Sequence, residues 1–580
     1  MQWLVERGRV PFLILIGAVT LLLAFRCLHL EVDRDNRSMD ADNAGQALLE
    51  ARFRENFDEG ESILVAVRHP DLLGDGGRSA LRRMVAELGA LEGVRRVTSL
   101  ADTDFVVLPH QVGLLISKDQ SVTAIRLVLH EFSDNGETLA RLVRELERIT
   151  DAHADDFTRI AITGLPIQKY EVGRLVRRDQ RMFAPLSLLV LGTVLFAITR
   201  RLSGMLFPLL VSVLTICWTL GVYSWTGHSL NMITSLLPPV IMTLSVATSI
   251  HIYIEWLGSR ETDRVKRITG AVRTLYKPCL FATLTTAIGF LSLLLSSTPA
   301  VRHFGLFAAL GVVVSLLLGV AGLAVGLGFL VPPVSDRLHG NRGWGFFDRM
   351  LQAVSGLSVN HPWKVVVVAL GVAAVGVSGL QRIRTDTDLL HFLGGDSRLV
   401  SDTEFIDGHL AGASAIELLV ECADGSAVED LGPITDFEDR VRRIPHVRAV
   451  TGIADLLPEF AMTLLERGTP LSKVLADFEG NPFLTKDRAK LRITVSTDLI
   501  GTEKGEQVVD AIGRMAGESL GGAYKVIPVG GFYRVITESN QLVDSQLRSF
   551  GVAIVCDLLV LPSFLRLASP REANHQHEYP

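Results

Sequence analysis

Apolar residues in this chain collect in eight long runs that are separated by polar segments. A helix needs about 17–25 mostly apolar residues to cross a bilayer, and each run is of that order. We therefore predict an α-helical polytopic membrane protein with about eight transmembrane helices. The runs cover about residues 10–28, 183–199, 205–225, 231–257, 279–297, 304–332, 364–381 and 549–565.

The first run follows Arg7 and Arg9, a pattern shared by signal peptides and membrane anchors. It ends in Phe25-Arg26-Cys27-Leu28, which is a poor cleavage site because small residues are missing. We expect an uncleaved anchor.

Lys and Arg in the short loops predict the orientation, because cytoplasmic loops carry most of these residues. Among Lys and Arg residues, the short loops on the opposite side contain only Arg302. Both termini are therefore expected in the cytoplasm, and the two long polar segments, about 30–181 and 383–548, on the outer side of a bacterial inner membrane. The predicted cytoplasmic residues are Arg7, Arg9, Arg200, Arg201, Arg260, Arg264, Lys266, Arg267, Arg273, Lys277, Arg337, Arg342 and Arg349.

The two long polar segments look like copies of one another. Gly93-Val-Arg-Arg-Val-Thr-Ser-Leu-Ala-Asp102 matches His446-Val-Arg-Ala-Val-Thr-Gly-Ile-Ala-Asp455, and Leu175 with Arg181 and Phe183 matches Leu542 with Arg548 and Phe550. Each copy alternates between strand and helix periodicity and predicts a βαββαβ, ferredoxin-like α+β domain. The predicted strands are 62–68, 94–99, 121–131 and 158–163 in the first copy, and 415–421, 447–451, 491–497 and 524–528 in the second. The predicted helices are 78–91 and 137–152, then 434–444 and 503–518.

Composition narrows the possible functions. The chain has 580 residues, of which 48% are hydrophobic and 21% charged, with a net charge of −6. That balance excludes a disordered chain and a basic nucleic-acid-binding protein, so we expect no nucleic-acid partner. Phosphate-loop, zinc-protease and serine-hydrolase motifs are absent from the sequence. We expect neither enzymatic activity nor a cofactor.

Metal and disulfide sites are not expected either. The five cysteines have no zinc-site spacing, and four of them lie in apolar runs. Two aspartate pairs stand at equivalent places of the two copies, Asp33 with Asp35 and Asp386 with Asp388. Because no other type of ligand stands near them, we interpret them as marking the exit of the chain from the membrane, with metal binding as the alternative.

One stretch carries a family resemblance. Lys277-Pro278-Cys279-Leu-Phe-Ala-Thr283-Leu-Thr285-Thr286-Ala-Ile-Gly289-Phe290, with Pro299 and Phe304-Gly305 after it, is similar to the fifth helix of the resistance–nodulation–division (RND) transporters. The chain has a helix, a large external domain and five helices, and then starts the same order again. This order resembles the MMPL/Patched-type branch of the RND transporters. That branch includes hopanoid-type lipid carriers and has a sterol-sensing-domain-like bundle. The resemblance implies proton-driven export of hydrophobic or lipidic molecules, with the external domains offering the passage.

Polar residues within the predicted helices are the candidate transport site, because such groups are costly in a bilayer. In the RND transporters a carboxylate in the fourth helix usually carries the proton, but here Thr248 and Ser249 occupy that region and His251 follows. His251 is a candidate proton relay. Further candidates are Thr283 and Thr286, on one face of the fifth helix, and Asp557 in the last. For the threonines and Ser249 the alternative is helix packing. For His251 it is a structural hydrogen bond in the cytoplasmic third of the bundle, and for Asp557 it is anchoring near the cytoplasmic face.

The second copy stops early. After its external domain a single helix remains, which resembles the start of the family's eighth helix joined to the end of its twelfth, so we expect an in-frame loss of about four helices. The predicted organisation is a transmembrane helix at 1–30, an external porter-like domain at 31–181, a helix bundle at 182–333, a cytoplasmic linker at 334–363, a transmembrane helix at 364–382, a second porter-like domain at 383–548, a fused helix at 549–567 and a cytoplasmic tail at 568–580.

The shortened second half leaves three functions open. The first is transport of a hydrophobic or lipidic substrate, and the others are a truncated, non-transporting regulatory remnant and a sterol sensor. We expect membrane lipids or hydrophobic small molecules as ligands. Protein partners could be further copies of the chain, a full-length RND transporter or periplasmic proteins. A single copy alone is expected to be a poor pump.

Thiol labelling tests the predicted orientation. In a variant that keeps only Cys422, a membrane-impermeant maleimide should react in intact spheroplasts, because Cys422 is the only cysteine in an external segment. A variant that keeps only Cys279 is the control and should stay unlabelled, since Cys279 lies in a predicted span. Labelling of Cys422 only after lysis would contradict the orientation.

Overall fold

The computed structural model describes residues 8–30, 44–57, 61–103, 115–130, 137–329, 345–380, 397–410, 414–457 and 487–568, with isolated positions at 113, 465, 471 and 483–485. The two predicted aspartate pairs and the predicted tail beyond 568 lie outside these residues. The first half consists of α1 (Arg9–Leu28), α2 (Ala44–Phe57), β1 (Ser62–Arg68), α3 (Asp75–Gly89), β2 (Val94–Thr98), β3 (Val122–Leu129), α4 (Glu137–Ala152), β4 (Arg159–Thr163), α5 (Leu165–Thr199), α6 (Leu202–Trp225), α7 (Leu237–Gly258), α8 (Arg264–Leu291) and α9 (Pro299–Leu317). The second half consists of α10 (Gly345–Asn360), α11 (Pro362–Leu380), α12 (Arg398–His409), β5 (Ser414–Cys422), α13 (Gly432–Val441), β6 (Val447–Thr451), β7 (Lys490–Thr497), α14 (Thr502–Leu520), β8 (Tyr524–Val529) and α15 (Gly531–Ala568).

Each polar segment contains a four-stranded antiparallel sheet. The strand order is β2-β3-β1-β4 in the first and β6-β7-β5-β8 in the second. In both sheets the two central strands pair without a register shift. The pairing starts with Ser62 opposite Val128 in the first sheet and with Ser414 opposite Thr497 in the second. All eight strands were predicted to within two residues at either end. The matching order and register show that the internal repeat extends to the strand pairing.

Both faces of the first sheet are buried, although its own two helices cover only one. On that face Ile63, Val65 and Val67 pack with residues of α3 and α4. The opposite face carries Ala66, Ala124 and Ala161. Strand residues alternate between faces, so a sheet buried on both sides needs a second cover.

The second cover comes from the other repeat. Ile406 of α12 packs against the alanine face of the first sheet. Polar contacts fix its position, since the Ile162 amide donates to Asp402 Oδ2 at 3.2 Å and the hydroxyls of Thr163 and Thr403 lie 2.7 Å apart. A helix from the second polar segment thus completes the core of the first.

The exchange is reciprocal. Phe53 and Phe57 of α2 pack against Leu419 and Val529 on the second sheet. Arg534 Nη1 lies 3.4 Å from the buried Glu50 Oε2. The two sheet domains are therefore interlocked, and neither has its full hydrophobic core without the other.

Seven of the described helices are long and apolar enough to cross a membrane. They overlap the first seven predicted spans, and the eighth, 549–565, lies within α15 without being one of the seven. Helix α1 joins the bundle through α6. Trp218 Nε1 donates to Thr20 Oγ1 at 2.9 Å, and Gly221 is so close to Leu23 that any Cβ would meet its backbone oxygen at 2.6 Å.

Two helices leave a sheet domain without a break: α5 continues into one of the seven apolar spans, and α15 continues through residues 549–565, which are not one of them. We expected boundaries at 181/182 and 548/549, but α5 continues through the first and α15 through the second. The sequence changes from polar to apolar at these points. An α-helix can continue through such a change, so no linker is needed between the sheet domain and the apolar segment. Residues 362–379 of α11, in contrast, are exposed along their whole length.

The second sheet domain buries a carboxyl group that the first lacks. Glu438 on α13 is 1% exposed, and neither of its oxygens has a hydrogen-bond partner in the described part of the chain. Burial is the main cause that raises its pKa from 4.5 to about 8, and nearby Asp455 adds to the shift while Arg442 opposes it. Counting back from the matched strands puts Val85 at the equivalent place in the first copy.

Glu438 predicts a pH-dependent stability. Between about pH 4.5 and 8 the folded chain holds a proton that the unfolded chain releases, so stability falls as pH rises, by up to about 1.4 kcal/mol per unit. Thermal unfolding of the detergent-solubilised protein from pH 5 to 9 should show this fall. Glu438→Gln should flatten it, whereas Asp436→Asn, at an exposed carboxylate on the same helix, should not. An unchanged slope in Glu438→Gln would contradict the assignment.

Candidate functional site

Hydroxyl side chains line the interior of the bundle between α6, α7 and α9. Along α6 and α7 they contact each other's helix: Ser212 Oγ donates to the Met242 carbonyl at 3.1 Å, and the hydroxyls of Thr215 and Ser245 lie 3.3 Å apart. Each member of this group is at most 1% exposed. We call the group the hydroxyl seam, and its members are Ser212, Thr215, Thr219, Ser245, Ser249 and Ser315.

Glycines on α9 and just beyond it let the seam form. A Cβ at Gly311 would come within 3.2 Å of Thr219 Oγ1, and one at Gly319 would come within 3.6 Å of Ser249 Oγ. Gly319 lies in a π-helical turn, Leu318–Gly322, a geometry that is frequent at functional sites. Ser315 is one turn before Gly319 and therefore on the same face of the helix.

Two members of the seam are unsatisfied. Most membrane hydroxyls here donate to the carbonyl one turn back, as Thr219 does to Thr215 at 2.8 Å. Ser249 Oγ and Ser315 Oγ are buried and have no hydrogen-bond partner among the described residues. A buried polar group left in that state costs about 1–3 kcal/mol. Ser249 and Ser315 are therefore the two members of the seam whose hydrogen-bonding capacity is unused.

The candidates in the fourth predicted span, which is α7, lie on different sides of that helix. Ser249 is in the seam, and the half-buried Thr248 lies beside it, its methyl group facing Gly319. His251 is exposed, because two residues along an α-helix turn the side chain by about 200°. The structure therefore places His251 on the outer surface of the bundle, away from Ser249, and its role in proton relay stays a prediction.

The other candidates belong to a second region. Thr283 is buried on α8, and Thr286 is half-buried, donating to the Ala282 carbonyl at 2.7 Å. Helix α15 packs against α8, and Ser545 Oγ lies 3.3 Å from the Oγ of Ser296, which follows the 3-10 turn Ser292–Leu295 at the end of α8. Counting about 1.5 Å per residue from that contact puts Asp557 and Thr283 at similar depth, each about 18–20 Å along its helix. Asp557 Oδ1 is buried and has no hydrogen-bond partner among the described residues.

Sequence reasoning missed a histidine pair at the sheet-domain end of the bundle. The rings of His228 and His303 are 4.2 Å apart, and His228 Nδ1 lies 2.8 Å from Thr226 Oγ1. Burial lowers the pKa of His228. Tyr223, one turn beyond Thr219, connects the pair to the seam, since its ring lies 5.2 Å from His228. Hydroxyls recurring every three or four residues along α6 would have been the signal for the seam.

With this geometry in view, comparison with known proteins is informative. The sequence profile of the MMPL family matches residues 37–356, more than half of the chain. The chain belongs to the MMPL family. Membership suggests an RND-type transporter, in agreement with the resemblance carried by the fifth predicted span. The match includes the first sheet domain and the whole hydroxyl seam.

Two curated relatives also match, and their names describe them as membrane proteins. One, from Methanocaldococcus jannaschii, is 25% identical over 204 residues, which is 34% of this chain and 52% of that protein. The other, from Streptomyces coelicolor, is 26% identical over 397 residues, which is 64% of this chain and 45% of that protein. The chain thus spans about half the length of the relatives it matches.

Proposed function

We propose that this MMPL protein is a proton-coupled transporter that exports a hydrophobic or lipidic molecule across a bacterial inner membrane. The hydroxyl seam is the observation that carries the proposal. It runs between three packed helices, within the part of the chain that matches the family, and contains two hydroxyls whose hydrogen-bonding capacity is unused.

Hydroxyl groups suit a proton path because each can donate one hydrogen bond and accept another. The fourth predicted span, α7, has no carboxylate at its centre. The group that takes up and releases the proton must therefore lie elsewhere. His228 and His303 lie at the end of the seam nearest the sheet domains, and an imidazole can both accept and release a proton. We infer that protons pass between this pair and the seam.

The sheet domains fit the passage expected of such a transporter. Their βαββαβ element order and strand order support a ferredoxin-like fold. Under this proposal the unbroken α5 and α15 connect both domains directly to the membrane. Under this proposal the sheet domains lie outside the cytoplasm and receive the substrate from the membrane.

A second function has its own support. Residues 362–379 of α11 are fully exposed, which suits a helix that packs against another chain. The alternative is therefore a regulatory subunit that binds a full-length RND transporter or a second copy of itself. Co-purification with such a transporter, together with no proton flux by the isolated chain, would favour this alternative.

Proton flux in proteoliposomes tests the seam. With a pH-sensitive dye inside and an imposed pH gradient, the double variant Ser249→Ala/Ser315→Ala should lower flux at least tenfold. Its thermal stability should stay equal or rise, because the changes remove buried hydroxyls that have no partner. A purely structural role for these serines predicts unchanged flux instead.

Two further variants serve as controls. Thr243→Val removes an exposed hydroxyl from the same helix and should leave flux unchanged. His251→Ala tests the relay expected from the sequence. If it alone abolished the pH dependence while the double serine variant behaved normally, the path would lie on the outer surface of the bundle and the seam proposal would be wrong.

A further inference from the structure

Four arginines stand on one face of α5, just where the helix leaves the sheet domain. Arg174, Arg177, Arg178 and Arg181 occupy positions i, i+3, i+4 and i+7 and therefore form one stripe. Together with Met182 they line an open cavity of about 410 Å³. We propose that this arginine groove binds the anionic headgroup of a membrane lipid.

The depth of the groove fits a headgroup. From Met182 to Thr199 the helix is about 26 Å long, close to the roughly 30 Å thickness of the hydrocarbon core. Met182, Phe183, Leu186 and Leu189 are exposed over that length and suit contact with acyl chains. The stripe comes directly before them, at the level of the lipid phosphates on the side of the sheet domains.

The charge of the groove is also suitable. Arg174 pairs with Glu171 at 2.7 Å, and Asp179 is turned about 100° away from Arg178. Arg178 and Arg181 are exposed and line the groove, on a different side of the helix from Asp179. Guanidinium groups bind phosphate through paired hydrogen bonds. A choline headgroup also carries a cation, which repels the arginines, so an anionic headgroup should bind more tightly.

The second repeat shows that the shared fold does not require this charge. The matched residues Leu175 and Leu542 place Gln541, Asp544, Ser545 and Arg548 of α15 at the four corresponding positions. Ser545 is buried and contacts Ser296, whereas the stripe on α5 is open. The two copies keep one helix geometry and differ in what that helix face contacts.

Lipid binding by the purified full-length chain in detergent tests the proposal. Native mass spectrometry would titrate phosphatidylglycerol and phosphatidylcholine with identical acyl chains. Each arginine near a lipid surface contributes roughly fivefold in affinity. Arg177→Gln/Arg178→Gln/Arg181→Gln should therefore weaken phosphatidylglycerol binding at least tenfold and leave phosphatidylcholine binding unchanged. The measurement needs no transport, so it is independent of the proposed function.

Matched variants separate this site from general charge effects. Arg141→Gln/Arg144→Gln/Arg148→Gln removes the same charge from the exposed surface of α4 and should change affinity less than threefold. The corresponding Arg→Lys triple in the groove should keep most of the binding. If the glutamine triple does not fold, Arg178→Gln alone should still show about a fivefold loss. Equal binding by the glutamine triple and the wild type would overturn the proposal.

A soluble competitor distinguishes the source of the phosphate. Glycerol 1-phosphate carries the same anionic group without acyl chains, so it should not displace phosphatidylglycerol at millimolar concentration. Full displacement would assign the groove to a soluble phosphate compound and overturn the lipid assignment. Equal affinity for phosphatidylcholine would overturn it as well.

Discussion

The need to cover both faces of two small sheets determines how the parts of this protein fit together. A four-stranded sheet with two helices on one side leaves an apolar face open to water. Here each repeat covers that face in the other, with Ile406 on the first sheet and Phe53 and Phe57 on the second. Two segments far apart in the sequence are thereby held together, and the membrane helices attached to them are held in one arrangement.

The sequence was sufficient for the local elements and insufficient for this exchange. The strand at Ser62–Arg68 was predicted at its observed ends because residues alternate between two faces over a short distance. The contact between Phe53 and Leu419 leaves no such periodic signal. Hydropathy located the first seven spans. It missed the seam because serine and threonine depress hydropathy only slightly, and it could not show that Ser249 and His251 lie on opposite sides of their helix.

The two repeats have kept their folds and diverged in chemistry. At equivalent positions the first has Val85 and the second a buried Glu438. The four arginines of α5 correspond on α15 to two uncharged residues, one aspartate and one arginine, whose charges cancel. Duplicated chains are informative in this respect, because one copy provides an internal reference for what the fold alone requires. The positions where the copies differ are therefore the ones to test for specific function.

Because α5 is one continuous helix, it can pass a movement from the bundle to the first sheet domain. Between Leu165 and Pro185, the proline within this helix, the chain is a stiff rod about 30 Å long, so a tilt of about ten degrees moves its end by about 5 Å. A second rod, α15, leaves the other sheet. Because each sheet is covered by a helix of the other repeat, we expect a tilt of one rod to shift both sheet domains together.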